Sequence, residues 1–178
     1  MTTVSNTVPV SQGWGSRVLR FPLTKIVIAI LLVAAAAFLT FALAKVIADK
    51  EARMLWPEIV SAIAVLFAYW TFVRYVEKRP ATELSRFKAL PEIGAGLLIG
   101  AAMVAAEIGI LYALGLYEVT GMNDWTMTLM QPLAVMIFIG VTEEVIGRGI
   151  IFRITEESLG SWPAIVISAL LFGLAHTP

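Results

Sequence analysis

Long apolar runs separated by short polar segments make up most of the chain. The first run covers residues 26–44, where only Thr40 is not apolar. At about 1.5 Å of rise per residue, a helix of this length covers roughly the 30 Å hydrocarbon core of a bilayer. The pattern therefore predicts a membrane-spanning helix.

A cleaved signal peptide is the alternative interpretation of this run, because Ala42-Leu43-Ala44 is similar to a cleavage site. The run is longer than the apolar part of a typical signal peptide. We therefore favour a retained span.

Four further apolar runs complete the predicted fold. We expect an all-α, polytopic helical bundle with about five transmembrane segments. It has a flexible cytoplasmic tail at residues 1–20 and a membrane domain at residues 21–178. The further spans are predicted at about 56–73, 93–117, 132–152 and 162–178.

Composition supports this class. Hydrophobic residues make up 59% of the chain and charged residues 15%, against about 45–50% and about 25% in soluble domains. The formal net charge is zero, so no basic surface predicts nucleic acid as a partner. The chain has no cysteine, which excludes disulfides, thiolate metal sites and a cysteine nucleophile.

The basic residues predict the orientation. One side of the membrane would carry nine of them and the other side three. Because basic residues are enriched in cytoplasmic loops, the richer side and the N-terminus are predicted to be cytoplasmic. The nine are Arg17, Arg20, Lys25, Arg74, Lys78, Arg79, Arg86, Lys88 and Arg153, and the three are Lys45, Lys50 and Arg53.

Two adjacent acids, Glu143 and Glu144, lie within the predicted fourth span with Arg148. Charged side chains at bilayer depth are costly and usually functional. Glu144 and Arg148 are four residues apart on a helix and able to pair. Such a pair is either a support for the site or a buried link between two helices. Glu143 points about 100° away, lacks a local counter-charge and is suited to general acid–base catalysis.

His176, the single histidine, is predicted to lie level with Glu143. With a turn at Gly160, Glu143 is seventeen residues before it and His176 sixteen after it. Two antiparallel helices would then bring the two side chains to nearly the same depth, with Phe172 four residues before the histidine. A satisfied core histidine is the simpler alternative. Glu107 in the third span is either part of the same site or a helix–helix hydrogen bond.

Other hydrolytic sites fit less well. One histidine excludes a His-Glu-x-x-His zinc motif, and no Gly-x-Ser-x-Gly element is present. Ser168 lies roughly 12 Å along the helix from His176, too far for direct activation. A glutamate and a histidine remain, and they would activate a water directly or through a bound metal. The sequence requires no cofactor and leaves a divalent metal open.

The motif Glu143-Glu144-x-x-x-Arg148, followed downstream by Phe172-x-x-x-His176, resembles the CPBP intramembrane proteases, the CAAX-processing and bacteriocin-processing (Abi) family. The resemblance covers residues 140–176, which would be the N-terminal part of a protease-like core. Gly147 departs from the large apolar residue expected at its position.

The resemblance implies a role for each residue. Glu143 would be the general base, His176 would assist or orient the water, and Glu144 with Arg148 would support them. The substrate would be a membrane-associated or prenylated peptide. Bacterial members are linked to peptide maturation or bacteriocin immunity, which implies a multi-pass protein of a bacterial plasma membrane. The resemblance does not decide whether a metal takes part.

The family has a further His-x-x-x-Asn/Asp element on a later helix, and this sequence stops at Pro178. We therefore expect the first part of a protease, either a truncated or partial sequence or a non-catalytic remnant. Three functions stay open: an intramembrane endopeptidase, a non-catalytic immunity or interaction protein, and a proton-relay or transport subunit that uses Glu107, Glu143 and His176.

Overall fold

The computed structural model describes residues 21–47, 56–84, 89–121 and 127–177. The predicted tail lies outside these ranges, and so do six of the basic residues used for the orientation: Arg17, Arg20, Lys50, Arg53, Arg86 and Lys88. Every regular element in the described residues is helical. These elements are α1 (Pro22–Ile47), α2 (Trp56–Thr71) with a π-helical extension (Phe72–Val76), a 3₁₀ turn (Thr82–Leu84), α3 (Ala89–Ala113), α4 (Met127–Glu144), a π segment (Val145–Phe152), α5 (Arg153–Leu159) and α6 (Ser161–Ala175).

The all-α membrane class is confirmed. Within the described residues, three helices are long and apolar enough to cross a bilayer: Pro22–Ile47, Trp56–Val76 and Ala89–Ala113. α6 is apolar but shorter. The predicted fourth span is helical throughout, as α4 followed by the π segment. The orientation and the count of five spans stay predictions.

Local sequence explains where these helices begin and end. Pro22 occupies the first position of α1, where its missing N–H has no helical acceptor to lose. α3 ends at Ala113, earlier than the predicted span, because Gly115 adopts a φ of 69°. The Leu116 N–H bonds to Leu111 O at 2.9 Å and the Gly115 N–H to Tyr112 O at 3.0 Å. This is a Schellman C-cap, in which glycine accepts the left-handed conformation without strain.

The core lies where α1, α2 and the π segment meet. α1 packs on α2, α2 packs on α4, and α5 packs on α6. Outside this core, large apolar side chains are widely exposed on the helices, as expected for surfaces that face lipid. The buried cluster comprises Ala29, Val33, Val65, Tyr69, Phe72, Val73, Val145, Ile150 and Ile154.

α3 stands apart from this core. None of its residues is buried, and Glu107 is exposed. Among the described residues Glu107 forms no ion pair with another side chain. The helix–helix hydrogen bond predicted for Glu107 is therefore not formed within the described chain.

A buried carboxylate joins three parts of the fold. The side chain of Glu77, just after α2, is 3% exposed, and its Oε2 lies 2.8 Å from Arg153 Nη2 and 3.0 Å from Arg79 Nε. Its Oε1 lies 3.9 Å from Lys25 Nζ on α1. Arg153 also binds the exposed Glu157 at 2.8 Å. Because a buried charge is stable only with opposite charges around it, Glu77 ties α1, the loop after α2 and α5 together.

A second carboxylate extends this network. Arg79 donates to both oxygens of Glu83, at 2.6 and 3.0 Å, and the hydroxyl of Tyr69 donates to the same carboxylate. Burial alone would raise the pKa of Glu83, but the hydrogen bonds from Arg79 and Tyr69 outweigh it and lower the pKa to about 2.

Replacing Glu77 should destabilise the fold far more than replacing Glu157. In Glu77→Gln, Arg153 and Arg79 lose a shared buried counter-charge, and we expect a loss of about 3 kcal/mol in the free energy of unfolding. Glu157→Gln removes only an exposed partner of Arg153 and should cost less than about 1 kcal/mol. Titration with SDS in mixed micelles measures both. Equal losses would contradict the role given to Glu77.

The ion pair between Glu83 and Arg79 should make the stability of the fold depend on pH in the acid range. Its pKa in the folded protein lies below the ordinary value of 4.5, so its contribution is full above about pH 4.5 and is lost as the pH falls towards about 2. The difference in melting temperature between the wild type and Glu83→Gln should therefore shrink over this range. A constant difference, measured by circular dichroism, would contradict the ion pair.

Candidate active site

Glu143 and His176 meet across a helical hairpin. Glu143 lies in the last turn of α4, and His176 follows the last residue of α6. Glu143 Oε1 is 3.3 Å from His176 Nε2. The turn falls at Gly160, whose φ of 87° favours glycine. The proximity predicted by counting residues on either side of Gly160 is therefore present, whereas the catalytic roles stay predictions.

The histidine ring is held from its other side. Nδ1 lies 2.8 Å from the carbonyl oxygen of Phe172, and the two rings are 4.3 Å apart between centroids. Because a carbonyl only accepts, we assign the hydrogen of neutral His176 to Nδ1. Nε2 then presents a lone pair towards Glu143.

This tautomer defines the chemistry of the pair. A carboxylate and a neutral Nε2 are both acceptors, so they form a direct hydrogen bond only when one proton is shared between them. When no proton is shared, the two acceptors can together bind both hydrogens of one water molecule. The arrangement of Glu143 and His176 is thus suited to holding and deprotonating water.

Glu144 has a different partner. Its Oε1 lies 2.6 Å from Arg148 Nη1 within the same helical run. The two neighbouring acids thus have different partners, Arg148 for Glu144 and His176 for Glu143. The interpretation as a buried link between two helices is wrong, because the pair is intrahelical and its side chains are 56% and 81% exposed.

Both acids face one open cleft between α4, the π segment and α6. Its volume is about 550 Å³. Phe172 lies on its wall, and Ser168 adds a polar side chain there, with its hydroxyl donating to Ile165 O at 3.2 Å. The lining comprises Gly140, Glu143, Glu144, Gly147, Arg148, Phe152, Ile165, Ser168, Ala169 and Phe172.

Glu107 does not line this cleft, and within the described residues it forms no hydrogen bond or ion pair with Glu143 or His176. Within the same ranges no three His, Cys, Asp or Glu side chains are gathered as a metal-binding group. Catalytic zinc typically takes three protein ligands. The described side chains do not form such a set, and the chemistry below uses Glu143 and His176 alone.

The sequence interpretation missed the packing behind the motif. Val145–Phe152 is π-helical, and Tyr69 of α2 contacts Gly149, where a Cβ would lie 3.1 Å from the ring. The glycine directly after Arg148 was the available signal, since a helical glycine often marks a close approach. No local pattern identifies Tyr69 or Glu77 as its neighbours.

Comparison with known families agrees with this geometry. Residues 125–178 match the model of the type II CAAX prenyl endopeptidase Rce1-like family. This C-terminal segment is therefore similar to the CAAX prenyl endopeptidases. The matched segment carries Glu143, Glu144, Arg148 and His176, and the resemblance proposed from the two motifs is confirmed. No curated protein and no solved structure gives a significant match to the chain.

Two glycines of the π segment should respond oppositely to alanine. A Cβ at Gly147 meets nothing within 4 Å, whereas a Cβ at Gly149 meets the ring of Tyr69. Gly147→Ala should therefore keep or raise stability, by up to about 1 kcal/mol from helix propensity. Gly149→Ala should lower it, because the clash outweighs that gain. SDS unfolding measures the difference, and equal effects would contradict the contact with Tyr69.

Proposed function

We propose that the protein is a multi-pass intramembrane endopeptidase in which Glu143 and His176 activate the attacking water. The observation that carries this proposal is the 3.3 Å approach of Glu143 Oε1 to His176 Nε2 in the segment that matches a prenyl endopeptidase family. Glu143 lines the open cleft, and His176 reaches Glu143 from the end of α6, next to Phe172 on the cleft wall.

In the proposed reaction, Glu143 and Nε2 of His176 accept the two hydrogens of one water. Glu143 removes a proton as the water oxygen bonds to the carbonyl carbon of the peptide. The carbon–nitrogen bond then breaks, and the proton passes to the leaving amine, which gives one carboxylic acid and one amine. Phe172 keeps the imidazole oriented through its carbonyl, and the Glu144–Arg148 pair forms the charged wall of the cleft.

The proposed substrate is a peptide presented at the membrane, with a prenylated peptide as the form that the family description supports. We also propose a location in the plasma membrane of a bacterium. The excess of basic residues on the N-terminal side supports a cytoplasmic N-terminus.

Glu143→Gln should abolish cleavage while the fold is kept. Loss of a general base typically lowers turnover by about 10²- to 10⁴-fold. Glu107→Gln is the matched control, because it is the same change on a helix away from the cleft, and it should cleave normally. Release of fluorescence from quenched peptides, with and without a prenyl group, in proteoliposomes measures both.

The outcomes separate the three functions. Unchanged cleavage in Glu143→Gln would refute Glu143 as the base. A folded wild type that binds a membrane partner and cleaves no peptide would favour the immunity or interaction function. Proton flux that is lost in Glu107→Gln would favour the relay function.

A further inference from the structure

The carbonyl oxygen of Gly149 is contacted by side chains from two elements. Arg153 Nε donates to it at 2.9 Å, and the hydroxyl of Tyr69, from α2, lies 3.2 Å away. Tyr69 shares its hydrogen between this carbonyl and the carboxylate of Glu83. A backbone carbonyl in mid-helix ordinarily needs no such contacts, because a backbone N–H four residues later satisfies it.

The change of helical register explains why these contacts form. The backbone N–H of Arg153 bonds to Arg148 O and Ile150 O instead of to Gly149 O, its ordinary α-helical acceptor. The side chain of Arg153 donates to Gly149 O in its place. The two side-chain contacts therefore stabilise the point at which the π segment returns to an α-helix.

Tyr69 packs tightly against Gly149. Tyr69 is 1% exposed, and its ring approaches Gly149 so closely that a Cβ there would lie 3.1–3.3 Å from three of its atoms. Arg153 is fixed in turn by the buried Glu77 at 2.8 Å. The clamp, defined as Tyr69 and Arg153 on Gly149 O, is thus anchored on α2 and on the loop that follows it.

The clamp can affect Glu143 because a π segment changes the rotation of the helix on either side of it. A π-helical insertion offsets the residues before it from those after it by about one residue, or roughly 100°. Ile154, just after the π segment, and Ile150, near its end, are buried in the core. The direction in which Glu143 points towards His176 therefore depends on whether the π segment persists.

We propose that Tyr69 and Arg153 are positioning residues that hold the π segment at Gly149 and thereby set the direction in which Glu143 faces His176. The proposal deepens the proposed function and rests on it for the kinetic effect. The effect on the Glu143–His176 contact itself does not require cleavage.

Tyr69→Phe tests the clamp by removing one hydroxyl. Misplacement of a reacting group by about 1 Å typically costs on the order of 100-fold in rate, so we expect kcat to fall by about 10- to 100-fold with KM nearly unchanged. Tyr75→Phe is the matched control, because Tyr75 lies in the π-helical extension of α2, is exposed and stacks edge-on against Trp70. It should cleave like the wild type. A rise in KM with unchanged kcat would overturn the proposal.

The single histidine allows a readout independent of activity. With ¹⁵N-labelled histidine, the ring signals belong to His176 alone. The Nε2 signal of Tyr69→Phe should move from its wild-type position towards that of Glu143→Gln, whereas Tyr75→Phe should keep the wild-type spectrum. A merely structural role for Tyr69 would lower the melting temperature and leave this signal unchanged, and that result would overturn the proposal.

The two readouts distinguish the failure of each proposal. If the wild type cleaves no peptide but Tyr69→Phe shifts the His176 signal, the clamp stands and the endopeptidase fails. If Tyr69→Phe does not fold, Arg153→Lys removes the guanidinium Nε that donates to Gly149 O and keeps a positive charge beside Glu77. It should shift the same signal in the same direction, and an unchanged signal would overturn the clamp.

Discussion

The buried carboxylate of Glu77 is the constraint on which much of this fold depends. An ionised group with 3% exposure requires cations around it, and here they come from three different parts of the chain. Lys25 lies in the first turn of α1, Arg79 follows α2 and its π-helical extension, and Arg153 begins α5. By pairing with Arg153, Glu77 fixes the position of the end of the π segment against α2. The π segment in turn forms one wall of the cleft.

The cleft shows how one short motif separates two chemically identical side chains. Glu144 is neutralised within its own helix by Arg148, at 2.6 Å. Glu143 turns to the opposite arm of the hairpin and to His176. The division follows from helical geometry, since neighbouring residues point about 100° apart. The Nδ1 contact with Phe172 then leaves Nε2 free to accept, which complements the carboxylate around a water molecule.

The sequence was most informative where its signals are local. Hydrophobic runs predict the helices, Gly160 predicts the turn, and counting from that turn brings Glu143 to the depth of His176. The exposure of the Glu144–Arg148 pair was not predictable, because it depends on which elements cover the cleft. Neither was the π segment, since it is stabilised by Tyr69, eighty residues away from Gly149. A helical pattern does not encode such a distant partner.

The tight turn at Gly160 has a consequence for how these charges enter the membrane. Glu143, Glu144, Arg148 and His176 all belong to one helical hairpin, and their contacts are made within it. When Glu143 and His176 share one proton in addition to the hydrogen on Nδ1, the formal charges of the four side chains sum to zero. The charged side chains of the hairpin therefore neutralise one another within it. This lowers the free-energy cost of placing them in the hydrocarbon, and it does so without contacts from α2.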